Sequence, residues 1–296
     1  LRRLAARLGL EVPMEVVQGP EAAACFDRAL PVYPVELAAD VTPGQPDPAN
    51  GPAVLAAIEA AVALVQADRA AAVVTNPIHK QVLYRAGFAH PGHTEFLAAL
   101  VKSPTAPVMM LACPGLRVVP VTVHLPLATA AASLTTEAIV HCGRVTCRAL
   151  AQDFGIERPH LAVAGLNPHA GESGSIGREE IEIVAPAVAA LRAEGFSLGD
   201  PAPADSLFHP AARARYDAVL CMYHDQALIP LKTIDFDRGV NITLGLPIVR
   251  TSPDHGTACD IAGRGIADHR SLLEALRTAR AMADARRRVR QEASLP

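Results

Sequence analysis

The amino-acid sequence predicts a two-domain α/β fold with largely parallel, doubly wound sheets. Short apolar runs rich in β-branched residues alternate along the chain with amphipathic stretches of helical periodicity. Uniformly apolar runs are typical of strands that helices cover on both faces, whereas half-exposed strands alternate apolar and polar residues. The order strand, helix, strand then implies parallel pairing. With 296 residues, the chain is long enough for one large or two medium domains.

Four apolar runs are the strand candidates, at 71–75, 118–123, 161–166 and 216–223. Three amphipathic stretches between and after them are helix candidates, at 53–66, 136–154 and 178–193. Asn50 and Thr135 can cap the first two helices, since a short polar side chain accepts hydrogen bonds from the first free N–H groups. Gly195 is a stop signal for the third.

The composition excludes several classes of protein. Half of the residues are apolar, 19% are charged and the net charge is −3, which argues against disorder and against a nucleic-acid partner. Six cysteines without a CxxC pair, and no secretory leader, lead us to expect free thiols in the cytoplasm. No uncharged apolar stretch of about 18 residues is present, so we expect no membrane span.

Each predicted strand is followed by a polar turn. These turns contain Thr75, His124, His169 and His224. Ligands of open parallel sheets bind beyond the carboxyl ends of the strands, so the four turns are candidates to share one crevice. A single histidine is more often a hydrogen-bonded structural residue than a ligand. Three imidazoles at neighbouring strand ends, however, match the donor set of a catalytic divalent metal with an open position for substrate.

Two basic residues follow in the region that ends the chain. Lysine is scarce, with only Lys80, Lys102 and Lys232 in the sequence, so Lys232 eight residues after His224 is informative. Arg250 follows another strand-like run, and Asn241 lies between the two. A lysine and an arginine beside a metal would hold an anionic substrate, the arginine through a fork of two hydrogen bonds. The alternative is a pair of ordinary surface charges.

Glycines cluster at Gly171, Gly174 and Gly177 directly before a predicted helix. Their spacing differs from the GxGxxG fingerprint, which disfavours a Rossmann-type cofactor site. Another helix is predicted to open in the sequence Gly-His-Thr-Glu at 92–95. His93 and Thr94 are free there to contact a ligand, although capping explains Thr94 equally well.

Long motifs in this sequence closely resemble the 4-hydroxythreonine-4-phosphate dehydrogenases of vitamin B6 synthesis, the PdxA family. The resemblance covers most of residues 75–265 through TNPIHK (75–80), HPGHTEFLA (90–98), VTVHLPL (121–127), GLNPHAGESGSIGREE (165–180), PADSLF (203–208) and the long run from 222 to 265.

The resemblance implies a role for each candidate. It places His124, His169 and His224 on metal ligands and His93, Thr94, Lys232, Asn241 and Arg250 on substrate-binding positions. It also implies a fold similar to the isopropylmalate and isocitrate dehydrogenases, with NAD or NADP carried by the loop residues His255, Gly256, Thr257, Ala258 and Asp260. Asp260 suits a ribose hydroxyl, which favours NAD. Zn, Mg or Co is the implied metal.

The implied reaction is oxidation of 4-phosphooxy-L-threonine at C3, then decarboxylation. Asp225 and Asp205 are hypotheses for the general base, with Lys232 beside them as a catalytic candidate. The family acts as a homodimer with shared active sites. Residues 1–90 with 228–296 are expected to form the domain with the cofactor loop, and 91–227 the domain with the metal-ligand strands and dimer contacts. The family's opening strand and glycine-rich turn do not precede Leu1, and we expect that the native start is missing.

Three alternatives stay open at this point. A sibling dehydrogenase could act on a phosphorylated sugar acid, such as 4-phosphothreonate or 4-phosphoerythronate, or on a cyclic diol. Three histidines would also serve a zinc hydrolase or an aldolase. A non-catalytic binding protein is disfavoured, because it has no need for so many polar groups at strand ends.

Overall fold

The computed structural model of the chain describes residues 1–19 and 24–292. Its strands are β1 (Met14–Val16), β2 (Leu30–Val32), β3 (Val73–Val74), β4 (Val108–Cys113), β5 (Leu116–Pro120), β6 (His160–Ala164), β7 (Ser197–Ala202), β8 (Ala218–Cys221), β9 (Val240–Leu244) and β10 (Arg250–Pro253). Its α-helices are α1 (Arg2–Arg7), α2 (Gly51–Gln66), α3 (Lys80–Arg85), α4 (His93–Leu100), α5 (Leu127–Ala132), α6 (Thr136–Phe154), α7 (Ala185–Ala193), α8 (Pro210–Arg213), α9 (His224–Ile234) and α10 (Arg270–Glu292).

The predicted α/β class with a mostly parallel sheet is confirmed. Eight strands form one sheet in the order β3, β10, β9, β4, β5, β8, β6, β7. The neighbours β5, β8, β6 and β7 are parallel, as is β10 with β3. The pairs at the centre, β10 with β9, β9 with β4 and β4 with β5, are antiparallel. Only two residues connect β4 to β5, and so short a connection joins antiparallel strands.

Each of the four predicted strands forms, although with shorter or shifted bounds. The runs at 71–75, 118–123, 161–166 and 216–223 became β3, β5, β6 and β8. The strand β4 was not among the four candidates. Its hairpin with β5 at Gly115, whose φ is 81°, extends the sheet where the pattern of alternating helices indicated only parallel neighbours.

The three predicted helices also form. The Thr135 side chain accepts a hydrogen bond from the Ala138 N–H at 3.1 Å and so caps α6 as predicted. Asn50 precedes α2 without a capping bond, because its amide instead holds both backbone groups of Ala39 at 2.9 Å. A single π-helical turn over Glu180–Val184 precedes α7.

Helices cover both faces of the sheet. The helices α6 and α10 pack against one face, where Ile139, Leu150 and Met282 belong to one buried cluster. The helix α9 packs against β5 on the other face, in a cluster that includes Leu231. Successive strand residues point to opposite faces, and Val118 and Val119 accordingly belong to the two different clusters. The division into the two domains expected from the sequence stays a prediction.

One helix in the described part of the chain, Pro48–Gln66, is long and apolar enough to cross a membrane by length and composition. A single helix that passes this test is a weak indication, because core helices pass it too. Here Ile58 and Val62 are buried in a cluster with Leu97, which shows a packed inner face.

A buried ion pair fixes α10 to the rest of the fold. Arg286 of α10 donates to both carboxylate oxygens of Asp153, the last but one residue of α6. The same guanidinium donates to the carbonyl oxygens of Leu246 and Pro247 at 3.0 and 2.9 Å. One side chain therefore joins two helices and the loop between β9 and β10.

We expect Asp153→Ala to lower the free energy of unfolding by about 3–5 kcal/mol, because the Arg286 charge stays buried without its carboxylate. Urea unfolding followed by circular dichroism measures this. The matched control is Asp284→Ala, which removes the partly exposed i,i+4 partner of the exposed Arg280 on α10 and should cost about 0.5 kcal/mol or less. Similar small losses of unfolding free energy in the two variants would show that the buried ion pair does not fix α10 to the fold.

Candidate active site

The parallel pairing of β5 with β8 brings two of the predicted histidines together. Pro120 lies opposite Cys221, and the ladder continues past the strands, where the Thr122 N–H donates to the Met222 carbonyl at 3.3 Å. The buried Thr122 hydroxyl donates to the same oxygen at 2.8 Å. His124 and His224 each follow two residues later. Their ring centroids are 5.6 Å apart, with the ring planes at 43°.

The second nitrogen of His224 is already engaged. Its Nδ1 lies 2.7 Å from Asp225 Oδ1. A carboxylate on one ring nitrogen fixes the orientation of the ring and leaves Nε2 for a ligand, as in carboxylate–histidine–metal arrangements. Asp225 thus contacts the candidate ligand His224 directly.

His124 lies in a strained and partly desolvated position. Its φ of 47° is in the left-handed region, which a residue with a side chain rarely occupies. Burial, the nearby His224 ring and Lys80 lower the pKa of His124, and Glu95 opposes this. A lowered pKa keeps the imidazole neutral, which is the form that binds metals.

The two histidines open onto a cavity of about 650 Å³, a size suited to a small substrate. Nine of the residues predicted from the sequence line it: His93, Thr94, His124, His224, Lys232, Asn241, Arg250, His255 and Gly256. They come from five separate segments of the chain. The structure therefore brings all five predicted substrate residues and two of the three predicted metal ligands to one place.

Arg250 is the buried cation of this cavity. Its side chain donates to the hydroxyl oxygens of Thr243 at 3.0 Å and Thr75 at 2.9 Å. No carboxylate pairs with it among the described residues, and burial lowers its pKa to about 10. A buried charge without a counterion is costly, so this guanidinium is prepared to receive an anion.

His93 opens α4 beside Arg250. Burial and the charge of Arg250 lower the pKa of His93 to about 3, so the ring is neutral at physiological pH. Three buried side-chain nitrogen or oxygen atoms lack a hydrogen-bond partner in the described part of the chain. Two of them, His93 Nε2 and Arg250 Nε, belong to this cavity. Buried polar atoms without partners that converge on a cavity indicate a ligand that would form the missing hydrogen bonds.

Lys232 reaches the cavity from the last turn of α9. Its Nζ lies 3.3 Å from Asp254 Oδ2 and 5.6 Å from the centroid of the Phe236 ring. Burial raises the pKa of Asp254, and the Lys232 charge counteracts this. The ammonium is therefore held from two sides at the wall of the cavity.

The sequence reasoning did not assign three further charged residues of this cavity, which are Lys80, Glu95 and Asp254. Lys80 had a usable signal, since it is one of the three lysines and follows the polar turn after β3. Asp254 directly follows β10, whose first residue is Arg250. Glu95 lies in the first turn of α4, a position that the helix dipole alone explains.

Several predicted residues lie outside the cavity. His169 is exposed on the turn Pro168–Gly174, and no group of three metal-ligating side chains forms within the described residues. Asp205 is exposed in a short turn after β7. Asp225 instead lines a smaller adjoining cavity of about 210 Å³ with His124 and His224. Thr257, Ala258 and Asp260 are exposed in the loop after β10.

A second, mostly apolar cleft of about 400 Å³ adjoins the first. Pro77 and Ile78 line both cavities, and Ala262 from the predicted cofactor loop lines only the second. The loop is closely packed there, since a Cβ on Gly44 would lie 2.7 Å from the Cys259 carbonyl oxygen.

The donor set fits a divalent metal in part. Two imidazoles whose ring centroids lie 5.6 Å apart, one with a carboxylate on Nδ1, are ligands that a zinc-like ion accepts. No third metal-ligating side chain joins them in a group among the described residues. The adjoining cleft is large enough to admit part of a nicotinamide cofactor.

The comparison with known proteins identifies the family of this chain. Residues 1–279 match the family model described as "Pyridoxal phosphate biosynthetic protein PdxA". A 4-hydroxythreonine-4-phosphate dehydrogenase of Bradyrhizobium diazoefficiens is 56% identical over 288 residues, 96% of this chain and 84% of that protein. One of Caulobacter vibrioides is 56% identical over 283 residues, 94% of this chain and 85% of that protein.

Solved structures show the same likeness. A 4-hydroxythreonine-4-phosphate dehydrogenase from Klebsiella pneumoniae superposes with a TM-score of 0.86 at 39% identity, over 96% of this chain and 87% of that one. A terephthalate 1,2-cis-dihydrodiol dehydrogenase from Burkholderia xenovorans gives 0.63 at 30% identity, over 94% and 86%. The chain belongs to the PdxA family. Its close relatives carry the name of an oxidoreductase, 4-hydroxythreonine-4-phosphate dehydrogenase.

The low pKa of His93 predicts a pH dependence of stability. The unfolded chain protonates this ring near pH 6.5 and the folded chain near pH 3, so the unfolded state binds more protons between these values. Stability is therefore fully present above about pH 6.5 and falls as the solution becomes more acid.

Urea unfolding at a series of pH values tests this with His93→Gln, which removes the titrating ring. Between about pH 8 and pH 5, we expect the wild-type protein to lose up to about 2 kcal/mol more stability than the variant. Parallel curves for the two proteins would contradict the buried, neutral state of His93.

Proposed function

We propose that this chain oxidises 4-phosphooxy-L-threonine at C3 with NAD(P)⁺ and then releases CO₂ to form 3-amino-2-oxopropyl phosphate, in the cytoplasmic synthesis of pyridoxal 5′-phosphate. One observation carries the proposal. Two imidazoles suited to a metal open onto the same cavity as a buried arginine for which the described residues supply no carboxylate partner. Metal and anion sites side by side are what oxidation of a phosphorylated hydroxy acid requires.

The substrate carries a phosphate and a carboxylate, and the cavity offers three cations for them. Arg250 of β10 and Lys232 of α9, with Asn241 of β9, would hold these groups by charge-assisted hydrogen bonds. Lys80 adds a third positive charge to the wall. His93 and Thr94 contribute polar contacts at the start of α4, where the first N–H groups of the helix also favour an anion. Holding both ends of the substrate would fix C3 against the histidines.

His124 and His224 would bind a divalent ion such as zinc, magnesium or cobalt. When bound, such an ion lowers the pKa of the C3 hydroxyl and draws charge from the ketone oxygen during decarboxylation, while NAD(P)⁺ accepts the hydride. Asp225 would keep the His224 ring oriented and is, with Asp205, a candidate to take the hydroxyl proton. Lys232 stands as a further catalytic candidate near the carboxylate that leaves.

His169 is proposed as the third ligand, supplied by a second copy of the chain. His169 is exposed. Exposed apolar side chains follow both His124 and His169 in the chain. Leu125 and Leu127 are 46% and 64% exposed, and Ile176 is 42% exposed. A homodimer that buries these residues would complete each site with one histidine from its neighbour.

The nicotinamide cofactor is proposed to bind along the loop that follows β10. His255 and Gly256 lie in the substrate cavity, so the loop begins at the site of hydride transfer. Thr257, Ala258 and Asp260 continue it outward toward the adjoining cleft, and Ala258 has a left-handed φ of 47°. Asp260 would accept from a ribose hydroxyl, which favours NAD over NADP.

A sibling dehydrogenase activity is the second candidate. The terephthalate dihydrodiol dehydrogenase that resembles this chain is named for a cyclic diol. A phosphorylated sugar acid such as 4-phosphothreonate would also satisfy Arg250 and Lys232. The buried guanidinium does not separate these candidates, because a terephthalate diol carries carboxylates and is an anion too.

The reduction of NAD⁺ and NADP⁺, followed by nicotinamide absorbance, tests the proposal on 4-phosphooxy-L-threonine and on 4-phosphothreonate. We expect faster turnover of the first than of the second, which carries a neutral hydroxyl at C2 in place of the charged amino group. Chelation of the metal should abolish nicotinamide reduction, and addition of a divalent metal should restore it.

Arg250→Met should weaken binding of the substrate by about tenfold or more, because a hydrogen-bonded ionic contact is lost.

In the substrate assay, faster turnover of 4-phosphothreonate would assign the chain to the sibling activity. The absence of nicotinamide reduction with either substrate in the metal-loaded protein would contradict the proposed dehydrogenase activity.

A further inference from the structure

The turn that carries His169 has an unusual backbone. Five successive residues, His169 to Ser173, have positive φ, with values of 53°, 52°, 78°, 43° and 56°. Only Gly171 among them lacks a Cβ. Left-handed conformation is uncommon even for single residues with a side chain and rarer in a run. Such a turn persists only where the surrounding structure holds it, and strained backbone of this kind concentrates at functional sites.

A buried carboxylate holds the start of this turn. Glu180, at 5% exposure, lies at the beginning of the helical segment that follows. Its Oε1 accepts from the Asn167 N–H at 2.7 Å, and its Oε2 accepts from Asn167 Nδ2 at 3.0 Å. Glu179 Oε2 accepts the other hydrogen of the same amide at 2.7 Å. Asn167 is therefore fixed through both backbone and side chain, two residues before His169.

The glycine cluster of the sequence fits around this contact. A Cβ on Gly171 would lie 2.5 Å from Glu180 Oε2, and one on Gly177 would lie 2.4 Å from Asn167 Nδ2. A Cβ on Gly165 would lie 2.9 Å from the Ala170 Cα. These glycines leave room for the buried carboxylate and amide, which accounts for a pattern that matches no nucleotide-binding fingerprint.

The base of the turn is also tied to the strand that precedes His224. The buried Gln226 side chain donates to the Gly165 carbonyl at 2.7 Å and accepts from the Met222 N–H at 2.6 Å. The carbonyl oxygen of Met222 in turn accepts two hydrogen bonds, from the N–H and from the hydroxyl of Thr122. A continuous set of hydrogen bonds thus joins the segments that present all three histidines.

We propose that Glu180 is the positioning residue of the third histidine: it holds Asn167 and the left-handed turn so that His169 projects from the surface of one copy toward the histidine pair of another. This inference rests on the proposed function, because it takes His169 to be a metal ligand. Glu180 itself is buried behind the turn and acts only through it. A carboxylate is required because both acceptors are used, and a glutamine would turn an N–H₂ group toward one of the two donors.

The test compares Glu180→Gln with His169→Ala and with a matched control, Glu182→Gln. Glu182 lies two residues further along and makes only a surface pair with Arg178, with 57% of its side chain exposed. Affinity for Co²⁺ is measured on the full-length protein by calorimetry, and the ligand-field absorption of bound Co²⁺ reports the number of imidazole ligands.

We expect Glu180→Gln to bind Co²⁺ at least tenfold more weakly than wild type and to give the spectrum of His169→Ala, while Glu182→Gln stays within twofold of wild type. A merely structural role would lower thermal stability without changing the Co²⁺ spectrum. If Glu180→Gln does not fold, Gly171→Ala tests the same contact, because its Cβ would displace the Glu180 carboxylate.

The outcomes separate the two proposals. Weak binding in His169→Ala with wild-type binding and spectrum in Glu180→Gln would overturn the positioning role and leave the proposed function standing. Wild-type Co²⁺ affinity in His169→Ala would overturn both the ligand assignment of His169 and the role of Glu180.

Discussion

The parallel register of β5 on β8 is the constraint on which the site depends. Pairing Pro120 with Cys221 brings the two strand ends level, and the double hydrogen bond from Thr122 to Met222 keeps them level beyond the last strand residue. His124 and His224 can then face each other, although one hundred residues separate them in the chain. A slip by one residue would turn one of the imidazoles to the other side of the sheet, because successive side chains alternate.

The cavity beside the histidines combines groups that cost stability in the free protein. Arg250 is buried with two hydroxyl partners and, within the part of the chain that the structure describes, no carboxylate; His93 is held neutral next to it. His124 and the turn around His169 occupy left-handed backbone. Strain and uncompensated charge are tolerated at binding sites because ligand contacts offset them there. The buried Arg286–Asp153 pair and the helices on both faces supply the rigid frame in which such groups are held.

Much of this arrangement could be predicted from the sequence. Strand ends, capped helices and histidines after strands are local patterns, and the rule that parallel strands present ligands at their carboxyl ends predicted one crevice for His124 and His224, which both line one cavity. The start of a helix pointed to His93 and Thr94, whereas His255 and Gly256 came from the family resemblance alone. The antiparallel strand β4 was missed although its pairing with β5 is local, because the Pro114-Gly115 turn between them was not used as a hairpin signal. From the order of the strands alone, His169 was predicted to lie beside His224. The left-handed turn after β6 redirects the chain there, and it depends on the buried Glu180, a residue thirteen positions beyond Asn167 that reads as part of an ordinary helix start.

The central claim is that each site takes His124 and His224 from one chain and His169 from another. Mixing inactive His169→Ala with inactive His224→Ala protein, after dissociation and reassociation, tests it through nicotinamide reduction. A dimer with one chain of each kind would contain one site with all three histidines and one with a single ligand. Random pairing should therefore restore about a quarter of the wild-type activity. No recovery in a mixture shown to contain mixed dimers would contradict the shared site.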